Sequence, residues 1–159
     1  MGTPLTVSRA TDLAKALSGR RSTYSRYGMV LVSVEDGRLV FRLVELVRNP
    51  AMGGGADWPG AVLTEHSLAL NVTDEARAVA HYEGFCEAYG LGVDVGDAVD
   101  FPSGSAPSGS RTGKVIAVTP RRVQIRAKWL SYDDYFETWV AKGDAWPLGR
   151  RIEVRRPEL

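Results

Sequence analysis

The chain has 159 residues, 44% of them hydrophobic and 25% charged, with a formal net charge of +1. These are the proportions of a folded protein with one domain or two small ones, and the near-neutral balance excludes a whole-chain polyelectrolyte binder. No apolar run approaches the roughly 20 residues that cross a bilayer, the start MGTPLTVSRATDLAKAL lacks the basic-then-apolar layout of a secretory leader, and Cys86, the single cysteine, excludes an intrachain disulfide; the expectation is a cytoplasmic protein, or a nuclear one in a eukaryote, with no membrane partner.

Taken in chain order, Thr11 to Leu17 reads as a short helix, with Leu13, Ala14, Ala16 and Leu17 on an apolar side, Thr11 as cap and Gly19 as stop. The polar, basic stretch GRRSTYSRYG follows as a connector. Met29 to Val34 is β-branched and apolar, and Glu35-Asp36-Gly37 carries the Asp-Gly hairpin signal. Arg38 to Val47 is the return strand, although Arg38, Arg42, Glu45 and Arg48 also recur near helical spacing. Residues 49–60, NPAMGGGADWPG, read as a loop on composition. Ala61 to Thr64 and Ser67 to Val72 look like two short strands. Thr73-Asp74-Glu75 opens a second helix with a cap and an acidic first turn. Val79, Tyr82, Cys86 and Tyr89 recur at helical spacing along it, and Gly90 closes it.

From there the chain changes character. Val95 to Phe101, Thr112 to Val118, Val123 to Trp129, Tyr135 to Val140 and Arg151 to Val154 are five short strands, with a flexible PSGSAPSGS loop at 102–110. Near-even spacing of short antiparallel strands suggests a small closed barrel, which removes exposed edges. The expected fold class is therefore α+β: an α+β unit over residues 1–90, then a five-stranded barrel over residues 93–156.

The C-terminal stretch resembles the Tudor and chromo-barrel family of SH3-like barrels, in its Tudor-knot form. Members open with V-G-D-x-V, continue with a strand reading roughly K-V, and carry Y-x-G-W/F-x-x-x-x-D-E-W-V. This chain has VGDAVDF at 95–101, GKVIAV at 113–118 and WLSYDDYFETWV at 129–140. Ser131 stands at the family's Gly, and Glu137-Thr138 at its D-E. The resemblance covers roughly 60 residues and implies an aromatic cage for a methylated lysine. Trp129, Tyr132 and Phe136 fall at the cage positions. The family's further cage aromatic lies just before the second strand, near Arg111 here. An arginine there would repel a lysine cation and attract phosphate. Knot-type members bind RNA or DNA through basic barrel surfaces, and Arg121, Arg122, Arg126 and Lys128 lie nearby.

Charge distribution points the same way. Residues 1–96 hold 9 Lys+Arg and 11 Asp+Glu, whereas residues 97–159 hold 11 and 8. GRRSTYSRYG interleaves Arg20, Arg21 and Arg26 with Tyr24 and Tyr27, the combination that tracks phosphate and stacks on bases; a solvated connector is its plainer reading. Trp139 reads as core, Trp129 equally as core or surface, and Tyr132 and Phe136, around the polar SYDD turn, as recognition residues.

Signals for chemistry are weak. MGGGADWPG lacks the frame of a phosphate loop. His81 and Cys86 are five apart on a helix, a spacing that does not suit a shared metal, and His66 stands apart from them in sequence. No catalytic constellation, metal or cofactor is expected, so the chain is not read as an enzyme. The leading expectation is a non-catalytic module that binds nucleic acid. The alternatives are a reader of a protein segment with a cationic side chain, an assembly protein whose aromatics pack between copies in a homo-oligomer, and an enzyme or enzyme inhibitor that would need a pocket lined by His81, Glu83 and Cys86.

Overall fold

The computed structural model describes residues 3–18, 28–48, 57–89, 91–103, 110–129 and 133–148. The α+β class is observed: two α-helices and two antiparallel sheets, of three and five strands. No helix among these residues is long and apolar enough to cross a membrane.

Helix α1 spans Val7–Leu17 and starts four residues before the expected cap. Thr6, not Thr11, caps it, its hydroxyl accepting from the Arg9 N–H at 3.2 Å. Thr11 instead donates back to the Val7 carbonyl. Strands β1 (Gly28–Glu35) and β2 (Arg38–Arg48) form the expected hairpin. Asp36 and Gly37 both have positive φ, 50° and 72°, which is the twist-matched two-residue turn that Asp-Gly favours. Strand wins over helix for β2 because Leu39, Phe41 and Leu43 alternate inward, all fully buried, while Arg38 and Arg42 point outward.

Strand β3 runs unbroken over Asp57–Ala69, where a loop and two short strands were expected. Trp58-Pro59-Gly60 reads as a breaker, but β3 is a sheet edge, where proline is tolerated. The register against β2 shifts around Val44, so the irregularity is absorbed by bulging. Leu70–Val72 is a 3-10 turn rather than a strand end. Helix α2 (Glu75–Ala88) follows, capped by Asp74, which accepts from the Arg77 N–H at 2.8 Å. Both helices cover one face of the sheet. Leu13 and Leu17 of α1, Phe41 of β2, and Val79 and Phe85 of α2 belong to one buried cluster. Truncating a fully buried phenylalanine such as Phe41 costs about 3–5 kcal/mol.

The second sheet contains β4 (Ala98–Pro102), β5 (Ser110–Val118), β6 (Arg122–Lys128), β7 (Tyr135–Ala141) and β8 (Trp146–Pro147), in the order β7-β6-β5-β4-β8. Four strands fall where the sequence places them. The fifth differs: β8 pairs with β4, and the expected strand at Arg151 to Val154 lies outside the described residues. Closure is not observed either. Neither β7 nor β8 pairs with the other, so the sheet is open among the described residues. Its core is a separate cluster built on Val99, Phe101, Val115, Val123 and Ile125.

The two cores meet at a 3-10 turn, Lys142–Asp144. A Cβ on Gly143 would land on the carbonyl oxygens of Leu17 and Ser18, so the turn sits directly on the end of α1. Two ion pairs join α2 to the second sheet: Arg121 to Glu75, and Lys142 to Glu83 at 2.7 Å.

Candidate functional site

The alternation of β6 creates two unlike faces. Val123, Ile125 and Ala127 point into the core, while Arg122, Arg126 and Lys128 are exposed on the other side. On β5, Lys114 is exposed on that outer face and stands directly opposite Arg126. On β7, Tyr135, Glu137 and Trp139 project the same way, with Phe136 turned inward. Tyr135 is 54% exposed and Trp139 45%. They lie four residues apart along one strand, about 13 Å at the usual rise. The outer face of β5, β6 and β7 is thus a surface with two exposed aromatic rings and four cations.

The charges on this face are only lightly compensated. Among the described residues no carboxylate lies within ion-pair distance of Lys114, Arg122 or Arg126. Lys128 pairs with Asp133 at 2.9 Å, but both are well exposed, and such pairs contribute little. The Arg126 guanidinium lies 4.8 Å from the Tyr135 ring centroid. Glu137, the carboxylate on this face, accepts from the Gln124 amide at 3.4 Å. Like charges directly opposite across a strand pair, as Lys114 and Arg126 are, disfavour the sheet.

The expected aromatic cage has a different content. The Trp129 and Phe136 rings do meet, with centroids 4.3 Å apart. The Arg111 guanidinium stands against both rings, 5.6 Å from the Trp129 centroid and 5.2 Å from that of Phe136. Arg111 also donates to the Lys128 carbonyl at 3.1 Å and is only 7% exposed. The expectation that Arg111 meets phosphate at the surface is therefore corrected. Two aromatic faces and a carbonyl hold its charge inside the fold. Tyr132, the third expected cage residue, lies outside the described residues.

The remaining predicted cations divide. Arg122, Arg126 and Lys128 come together on the outer face. Arg121 does not: its guanidinium binds Glu75 on α2, and its backbone carbonyl accepts from the Lys142 N–H, so it docks the two halves. Arg20, Arg21, Tyr24 and Arg26 lie outside the described residues.

The pocket required by the enzyme reading is not assembled. Glu83 and Cys86 line one cavity, but His81 packs elsewhere, 4.9 Å from Phe41 and 5.8 Å from His66 between ring centroids. Burial, then the neighbouring His66 and Arg77, lowers the His81 pKa. Burial pushes the Cys86 thiol up to about 12, far from a reactive thiolate. Among the described residues no group of three or more His, Cys, Asp or Glu could hold a metal ion.

Trp139 is the residue that sequence reasoning misplaced. It was expected in the core, yet it shares the parity of Tyr135 and Glu137, opposite to that of Phe136 and Val140. The two-residue period of β7 carried this signal. Tyr135 and Lys114, which sequence reasoning passed over as site residues, are found by the same rule once β5 and β7 are in register with β6. Compared with known proteins, the chain matches no family model, no curated protein and no solved structure.

Proposed function

We propose that the protein is a non-catalytic module that binds single-stranded nucleic acid on the outer face of β5, β6 and β7. One observation carries this reading: Tyr135 and Trp139 are exposed on the same face as Lys114, Arg122 and Arg126, which have no ion-pair partner among the described residues. Exposed rings offer stacking platforms to unpaired bases, and the cations beside them track the phosphate backbone. Duplex bases are already stacked on one another and gain less from such rings. The reading of the C-terminal unit as SH3-like and Tudor-like is part of the same proposal. It is supported by the AVDF end of the first segment lying on β4, GKVIAV on β5 and YFETWV on β7, all strands of one antiparallel sheet. The methyl-lysine alternative is less favoured because Arg111 already stands against Trp129 and Phe136.

The test is a salt titration of binding to a fluorescently labelled oligothymidylate. Contacts from Lys114, Arg122 and Arg126 predict that log K falls with log salt at a slope of about −2, from roughly −0.7 per phosphate on a single strand. A salt-independent affinity, or no binding at low salt, would sink the proposal.

A further inference from the structure

A cavity of about 330 Å3 opens between α2 and the second sheet, away from the face described above. Small-molecule sites occupy roughly 300–1,000 Å3, so a compact ligand fits. Both halves of the chain build it. Cys86 comes from α2, Leu91 and Val93 from the segment after it, Val118 from the end of β5, and Ala145 from beyond the 3-10 turn. These residues supply apolar wall.

The charges around this wall do not balance. Lys142 is 7% exposed, and its ammonium is engaged by Glu83 at 2.7 Å, so that pair adds no net charge. Glu87 and Asp94 also line the cavity, and both are exposed toward solvent. Among the described residues neither carboxylate has an ion-pair partner. An anion entering here meets two like charges beside a low-dielectric wall, whereas a cation meets two opposite ones. A fully apolar guest would leave those charges without a counterpart. The occupant that satisfies both wall and rim has an ammonium head and a short hydrocarbon body.

We infer that this cavity binds a small organic ammonium, a primary amine on a short aliphatic chain, with its body against Leu91, Val118 and Ala145 and its head between Glu87 and Asp94. Binding is non-covalent, and because the walls come from both halves it strengthens the packing of α2 on the second sheet.

The experiment titrates the full chain with n-butylammonium chloride and follows backbone amide resonances by NMR, with sodium butyrate and n-butanol as matched probes. The expected result is saturable shifts at Cys86, Leu91, Asp94 and Val118 with the ammonium, affinity about tenfold weaker for the alcohol, and no saturation with the carboxylate. Glu87→Gln and Asp94→Asn, both at exposed positions, should keep the native spectrum and each weaken the ammonium by about tenfold. Butyrate binding as tightly as the ammonium, shifts confined to other residues, no saturation with the ammonium, or unchanged affinity in both variants would each overturn the inference. The ammonium and the oligonucleotide are titrated separately, so either site can fail without the other.

Discussion

The outer faces of the two sheets carry similar residue types and use them in opposite ways. On the first sheet Arg42 is clamped between Glu35 and Glu65, and Arg38 donates to the Ser67 hydroxyl at 2.9 Å. Hydrogen bonds from Arg42 and Ser33 hold Glu35 down at about 2, and the same carboxylates raise the Arg42 pKa. On the second sheet Lys114 and Arg126 face each other, and neither has an ion-pair partner among the described residues. A count of arginines cannot separate these faces. What separates them is whether the carboxylate across the strand pair closes on the cation: Glu65 opposite Arg42 does, whereas Glu137 opposite Arg126 makes no ion pair among the described residues. Arg42 is matched and structural, while Lys114 and Arg126 are left with charge that an external anion can neutralise.

The contrast can be broken by substitution. The largest expected effect is on folding: Arg111→Ala should lower stability by about 3 kcal/mol, because it empties the space against Trp129 and Phe136 and strips the Lys128 carbonyl of its donor. Chemical denaturation checks this, and loss of oligonucleotide affinity without loss of stability would contradict the buried role. Next comes Tyr135→Ala with Trp139→Ala. At about 1–3 kcal/mol per stacked base, each should weaken single-strand binding by tenfold or more at nearly unchanged stability. Reversing charge in Lys114→Glu should weaken binding by about tenfold and flatten the salt slope by about one contact. Arg42→Ala should do the reverse, with a small loss of melting temperature and no change in oligonucleotide affinity.

The smallest effect is a pH dependence confined to the first half. The folded-state pKa of His81 is depressed, so the unfolded chain takes up a proton there more readily. Stability from keeping His81 neutral is full above the ordinary imidazole range and is lost as pH falls through it. The melting temperature should fall between about pH 7 and pH 5, and His81→Phe should flatten that fall. Glu35 acts lower on the scale. Its stabilisation is present above the ordinary carboxylate range and is lost as pH drops toward about 2.

Much of this architecture was legible in the residues. The Asp36-Gly37 turn, the period of β6 and the capped start of α2 each follow from local chemistry, and the structure places them accordingly. What was hidden depends on partners remote in sequence. Pro59 lies in β3 because β3 is an edge, and edge status is a property of the whole sheet. β8 is two residues long and carries no strand signature of its own; it is defined by pairing with β4. Arg111 looked like a surface cation because a buried arginine is recognised only by its acceptors, here a carbonyl 17 residues away and two rings. Trp139 is the opposite case. Its size suggested core, but strand parity places it outside, and parity is the stronger rule wherever one face of a strand is buried.

The most direct test of the contrast between the two faces is amide-resonance mapping of the full chain during titration with a short oligothymidylate. Shifts should concentrate at Lys114, Gln124, Arg126, Tyr135 and Trp139, while Arg38, Arg42 and Glu65 stay still. Shifts centred on the first sheet, or spread evenly over both, would contradict the claim that the unmatched face of the second sheet is the binding surface.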